Sequence, residues 1–530
     1  MNGLGFRQAN SWLHTWSGLL LGWLLYAIFV TGALSFFRDE ISFWMQPTQH
    51  ASVAHADAPQ RAVDAMQAMA PDASLWSITL PSPRNPTTQV RWFEQGERRS
   101  KFGGQSVVLD GTTAQPLQVR ESRGGDFLYR FHFELYGMPR LAARWIVGIA
   151  TMMMLVAIIS GVITHKKIFV DFFTFRPRKG QRSWMDVHNA LAVLALPFHF
   201  MITYSGLLLL MFMLMPWGVD GAYGGDRQAF FSERGNRAAA SAPAPSTDKV
   251  PADLIAVTPL VRQAQAMWPS GVEQITVTDP GTSHAVIELR ERGAGSLLDR
   301  GRSERLLFNG ASGAPLESPD AAKPDAFSAI YNVFSSLHLL RFADTWLRWL
   351  FFIGGVLGSA MVASGMVLWV VKRLPQRRKQ GSHLGHRVVE GLNVAGIAGL
   401  PVAIGAYFWA NRLLPVSMQA RADWEIKAFF LAWAACLVHA WLRPHRKAWK
   451  EQLGILSLLL ALLPAYDLLH GGGGLLAALT RGSWVAAGMD TTLLAFAALS
   501  AAGVWFLRSD RAKTSKRPAA ASEGMEGVSP

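Results

Sequence analysis

The sequence predicts an α-helical polytopic membrane protein with about eight spans and two α+β domains outside the bilayer. Three observations predict it: long apolar runs, a regular alternation of basic loops, and an internal duplication.

The runs come first. Half of the 530 residues are hydrophobic, and they gather at roughly 12–37, 140–165, 185–216, 342–371, 388–411, 424–442, 452–470 and 484–507. A hydrocarbon core about 30 Å thick takes about 20 helical residues, and each run approaches or exceeds that. A soluble chain would spread the same residues over several cores. The first run has a core too long for a signal peptide, and no small-x-small site precedes Phe36-Phe37-Arg38, so it reads as an anchor.

The net charge of +14 suggests nucleic-acid binding only until its distribution is read. Lys166, Lys167, Arg176, Arg178, Lys179 and Arg182 share one loop. Lys372, Arg373, Arg377, Arg378, Lys379 and Arg387 share another. Arg443, Arg446, Lys447 and Lys450 form a third cluster, and Arg508, Arg511, Lys513, Lys516 and Arg517 a fourth. These are alternate loops, whereas 412–423 and 471–483 carry few basic residues. That is the positive-inside pattern; it places both termini in the cytoplasm of a multi-pass inner-membrane protein and leaves no role for nucleic acid.

The single cysteine, Cys436, excludes an intramolecular disulfide, a four-Cys iron–sulfur cluster and a Cys-rich zinc site. No C-x-x-C-H occurs, so covalent c-type haem is excluded as well. Any redox centre rests on histidine or on a dissociable cofactor. There is no P-loop, no G-x-G-x-x-G after a strand and no H-E-x-x-H.

Residues 1–375 read as one unit written twice. Ser11-Trp12-Leu13-His14 matches Ser183-Trp184 with His188. His14 stands 18 residues before Gly32 of a Thr-Gly pair, and His188 stands 18 before Gly206 of a Ser-Gly pair. His132 and His338 precede the second span of each unit, which ends in Ser160-Gly161 or Ser364-Gly365. The intervening loops match too. Residues 60–70 and 252–268 have helical spacing. Short strands follow near 76–80 and 274–278, then near 89–93 and 285–290. Asp110-Gly111 and Asn309-Gly310 then suit tight type I′ hairpin turns. Residues 217–250, rich in Gly, Ala, Ser and Pro, read as a linker.

The resulting layout is a first span at 1–37, an outer domain at 38–139, and spans two and three with a basic loop at 140–216. A linker and second outer domain follow at 217–335, then span four at 336–375. An additional four-span module covers 376–508 and a cytoplasmic tail 509–530.

Histidine placement is the functional signal. His14, His165 and His188 lie at the cytoplasmic ends of spans one, two and three; His199 lies inside span three; His132 and His338 lie at the outer ends of spans two and four. On a continuous helix, His188 and His199 leave the same face about 16 Å apart along the axis. That suits a stack of two b-type haems between helices, each iron taking two imidazoles. The bland alternative is a set of interfacial histidines bonded to headgroups or helix-end carbonyls. The repeat argues against it, and ionisable residues inside membranes are functional by default. One haem would use His188 with His14 or His165. A second would use His199, with a Met from 152–154 as a possible partner, or the His132/His338 pair. His383, His386, His439 and His445 read as interfacial residues of the basic face.

Several stretches together resemble the PepSY-associated transmembrane-helix family. They are Trp12-Leu13-His14 with Gly18, the run from Ser160-Gly161 through His165 to Phe169, Asp171-Phe172-Phe173-Thr174-Phe175-Arg176-Pro177, Asp186-Val187-His188-Asn189, and Leu196-Pro197-Phe198-His199. The resemblance covers about residues 1–375 and implies that the outer domains are PepSY-like. It further implies an iron-regulated inner-membrane protein of Gram-negative bacteria, associated with siderophore uptake. The expectation is a haem-dependent ferric reductase. It would pass electrons from a cytoplasmic donor or quinol to a ferric siderophore or other ferric chelate at the periplasmic side. The rival expectations are a non-enzymatic PepSY binding or regulatory protein and, with less support, a transporter.

Overall fold

The computed structural model describes residues 5–97, 103–165, 167–226, 229, 250–293, 297–298, 304–317, 326–381, 383–470 and 474–514. Most of the expected linker, 230–249, and the end of the tail, 515–530, lie outside the described residues.

The chain starts with α1 (Phe6–Leu20) and α2 (Gly22–Ser35), which meet at 65°. At the bend the Leu21 N–H to Ser17 C=O bond is stretched to 3.4 Å. A Cβ at Gly22 would meet Met366 Sδ at 2.8 Å, so the helix that carries Met366 packs closely beside the bend. Then come α3 (Arg38–Trp44), α4 (Ala58–Met69), β1 (Leu75–Thr79), β2 (Thr88–Phe93), β3 (Gln105–Leu109), β4 (Pro116–Leu117), α5 (Gly124–Glu134) and α6 (Arg140–Thr164).

The second half repeats this order. It has α7 (Gln181–Leu194), α8 (Leu196–Leu214), α9 (Thr258–Met267), β5 (Val272–Thr278), β6 (Val286–Glu291), β7 (Arg305–Asn309), β8 (Pro315–Leu316), α10 (Ala326–Leu339) and α11 (Thr345–Gln380). The break between α7 and α8 falls at Ala195, the repeat equivalent of Leu21, and Pro197 enforces it by removing a backbone donor. The third span is therefore not one continuous helix, and the face arithmetic between His188 and His199 does not apply.

The two loops share a single eight-stranded sheet, ordered β4-β3-β2-β1-β5-β6-β7-β8. The halves join through antiparallel β1 and β5, with Ser77 opposite Thr276 and Ile78 opposite Ile275. Alternation sets the faces. Trp76, Ile78, Val90, Ile275, Val277, Ile287 and Leu289 point into one core, which α4 and α9 cover with Val63, Met66, Val261 and Ala264. Ser77, Arg91, Thr276 and Glu288 fall on the other face. The outermost strands have two residues each, which leaves little open edge.

The expected type I′ turns are not formed. Asp110 and Asn309 instead open longer loops, closed by Asp110 N–H to Gln115 C=O and Asn309 N–H to Ala314 C=O. Their side chains accept from the backbone two and three residues on, and the positive φ falls at Ala114 and Gly313. Gly111 is needed for a different reason: a Cβ there would meet Pro86 O at 2.5 Å. Partial burial raises the Asp110 carboxyl, but hydrogen bonds from the Ser52 hydroxyl and the Thr112 and Thr113 N–H groups outweigh it. They hold the group below its ordinary value.

A second compact unit is built from α12 (Leu384–Asn393), a π-helical turn at Val394–Ala398, α13 (Gly399–Leu413), α14 (Arg421–Leu442), α15 (His445–His470) and α16 (Trp484–Thr514), less the outer ends of α14 and α16. The π turn frees the Ala395 carbonyl, which accepts from Trp433 Nε1 at 2.9 Å. Arg412 and Asp467 form a buried two-point ion pair at 2.8 and 2.9 Å. The Asp467 charge within the bundle is thus already neutralised. His439 is held by Glu451 at 2.8 Å.

Among the described residues, seven helices are long and apolar enough to cross a membrane, and the bent pair α1–α2 makes up to eight. This is a polytopic membrane protein.

Candidate functional site

Four of the expected histidines are held in the same way. His14 on α1 lies against Gly161 of α6, and its Nδ1 meets the Ala157 carbonyl at 2.8 Å. His188 on α7 lies against Gly365 of α11, and its Nδ1 meets the Met361 carbonyl at 2.9 Å. His132 on α5 lies against Gly32 of α2, with Nδ1 at 2.8 Å from the Ile28 carbonyl. His338 on α10 lies against Gly206 of α8, bonded to the Ser205 hydroxyl at 2.9 Å and to the Ile202 carbonyl. In every case the accepting carbonyl belongs to the residue four before the glycine.

The reason is steric. A helical carbonyl is screened by the side chain four residues on, so an imidazole reaches it only where that side chain is absent. A Cβ would come within 2.7 Å of His132 Cε1 at Gly32, 3.0 Å of His14 Cε1 at Gly161, 3.0 Å of His188 Cε1 at Gly365, and 3.2 Å of His338 Cε1 at Gly206. The hydroxyl residue before each glycine bonds back to its own helix: Thr31 to Ala27, Ser160 to Val156, Ser205 to Met201 and Ser364 to Met361.

This contact sets the chemistry of each ring. A carbonyl only accepts, so Nδ1 carries the hydrogen and Nε2 keeps its lone pair. An imidazole fixed by its other nitrogen is oriented and made more basic for metal binding.

The four rings form two pairs, each joining equivalent residues of the two repeats. His14 and His188 stand with ring centroids 6.2 Å apart. His132 and His338 stand at the same 6.2 Å. Each docking contact lies within one repeat, and each pairing lies between repeats, across their pseudo-twofold axis. Along α6, Gly161 beside His14 and Thr151 near His338 are about 15 Å apart, so the pairs form two layers. No group of three or more His, Cys, Asp or Glu able to hold a metal occurs among the described residues. Paired imidazoles are the arrangement on offer.

His165 ends α6, and the ring in contact with His188 is His14. His199 joins neither pair. It is fully buried between Phe29 and Phe198, its Nε2 lies near Gly358, and neither ring nitrogen has a hydrogen-bond partner among the described residues. Met154 lines a cavity beside His132 and His338. Spacing along the chain does not reveal the docking of histidine on glycine. The signal was present, because all four hydroxyl-glycine pairs were visible, but as landmarks of the repeat.

A family model described as the PepSY-associated TM region matches residues 11–372. The chain belongs to that family. The match spans both repeats and all four docked histidines, and it ends before the second compact unit begins. No curated protein matches the chain.

Proposed function

We propose that this PepSY-associated membrane protein is a carrier of two b-type haems in a bacterial inner membrane, with both termini cytoplasmic. It would draw electrons from a cytoplasmic donor or quinol and deliver them to a ferric siderophore or similar ferric chelate on the periplasmic side. The observation that carries this reading is the pair of cross-repeat histidine couples at 6.2 Å. Each couple brings equivalent imidazoles of the two repeats together, so that His14 with His188 and His132 with His338 would each hold one haem. The donor set agrees: neutral imidazoles, Nδ1 bonded, in an apolar bundle core.

Haem held by two histidines would supply reversible one-electron chemistry. The rest is the chain's work. His14 and His188 would hold the group on the basic side, and His132 and His338 the group on the sheet side. The helix carbonyls at Ala157, Met361, Ile28 and Ile202 fix ring orientation. Apolar walls such as Leu25, Ile28, Val147, Leu209 and Leu210 keep water from the outer pair. The protein contributes spacing, orientation and dielectric.

The test is a pyridine haemochrome assay on protein purified from haem-replete cells. Two haems per chain are expected, with a Soret band that ferric chelate re-oxidises after reduction. A colourless protein overturns the proposal.

A further inference from the structure

The cavity beside the outer histidine pair has a polar side, and it is not shared by the two repeats. It holds about 320 Å³ between α2, α5, α6, α8 and α10, within the range of ligand pockets. His132, His338 and aliphatic side chains line most of it. Its charged lining consists of two guanidinium groups, Arg144 and Arg341, and no carboxylate.

Arg144 has an equivalent in the second repeat. Arg144 and Arg348 stand 17 residues before Gly161 and Gly365, respectively. Their surroundings differ. Arg348 is buried and committed to Glu40 at 2.7 Å, and Glu40 is also gripped by Arg84 at 2.6 Å. Arg144 bonds Glu134 through Nη2 at 2.5 Å and lies over the Phe133 ring. Its Nε is buried with no hydrogen-bond partner among the described residues. Arg341 is exposed and has no ion-pair partner among them. A buried, unmet guanidinium N–H costs free energy unless something accepts from it.

Resting on the haem reading above, we propose that Arg144 and Arg341 bind the two propionate carboxylates of the outer haem, so that its polar edge emerges between α6 and α10. Guanidinium forks match carboxylates in shape and charge. Both arginines hold a glutamate, but Arg144 lines the cavity and keeps an unmet Nε, whereas Arg348 does not line it. The orientation of the group would thus be chosen by the side of the cavity that Arg144 and Arg341 line.

The test is a potentiometric titration of the purified full-length protein, with haem stoichiometry measured in parallel. His338→Ala first identifies which midpoint belongs to the outer haem. Arg144→Gln and Arg341→Gln should each lower that midpoint, the double variant more, with the inner midpoint unmoved. Arg341→Lys should keep most of the wild-type value. Selective loss of the outer haem in the double variant, with the inner haem retained, would also support the assignment. Glu134→Gln separates this role from a merely structural ion pair. It frees the guanidinium and should raise the outer midpoint, whereas a structural role predicts that Glu134→Gln and Arg144→Gln act alike. Unchanged outer midpoint and occupancy in the double variant would overturn the propionate assignment and leave the haem reading standing. Wild-type protein without haem would overturn both.

Discussion

His14 and His188 occupy the same position in two copies of one repeat, and their rings face each other at 6.2 Å. Each is docked on a glycine of its own repeat, Gly161 or Gly365, so the pair exists only when the repeats pack together. The His132–His338 couple obeys the same rule.

Stoichiometry should follow the pairing. Changing His14 or His188 to Ala should remove one of two haems, and changing both should remove no more. His338→Ala should remove the other. His199→Ala should leave two, since its ring belongs to neither couple. Haemochrome assays against protein concentration check this, and loss of a haem in His199→Ala would contradict it.

Glycine docking predicts an effect with no charge or ligand change. In Gly32→Ala the new methyl meets His132 Cε1 at 2.7 Å and displaces the ring. Overpacking of this kind costs about 1–3 kcal/mol. A lowered melting temperature with weakened outer haem binding is expected. Gly18→Ala is the control: nothing lies within 4 Å of the added carbon, so haem content should not change.

The buried network around Glu40 fixes α3 and the loop of Arg84 to α11. Glu40→Ala leaves Arg348 buried without its carboxylate, a class of change that costs about 3–5 kcal/mol. The double change Glu40→Ala, Arg348→Met should recover much of the loss. Thermal unfolding followed by tryptophan fluorescence reads both.

Asp110 predicts a feature of the acid limb. Its native carboxyl titrates below the unfolded value of about 3.9. It therefore adds stability that is full above that value and lost as pH falls through the native one. Asp110→Asn should flatten this part of the curve of stability against pH. An acid limb identical to wild type would show that the carboxylate carries no such linkage.

The helices were legible because hydrocarbon thickness and hydropathy leave few readings of a long apolar run. Spans 140–165 and 424–442 fall almost on Arg140–Thr164 and Arg421–Leu442. The third span was less legible: Pro197 breaks it, and α7 lacks the apolar length to stand as a span. The strands were legible from alternation, but their joining was not. Nothing in the pattern of β1 or β5 shows that Ser77 faces Thr276, because both loops had complete hairpins of their own. Among the histidines, equal depth for His14 and His188 followed from the repeat. The contact between the His14 and His188 rings did not, because it depends on which neighbouring helix presents a glycine.

The sequence by itself determined the membrane class, the duplication and the residue types at each histidine and glycine. Those follow from composition and spacing along one chain. Only the tertiary structure decided that each imidazole docks on a carbonyl four residues before a glycine, and that equivalent rings meet across the repeat axis. Docking and pairing are distances between helices, set by how closely their backbones approach, and no periodicity along the chain encodes them.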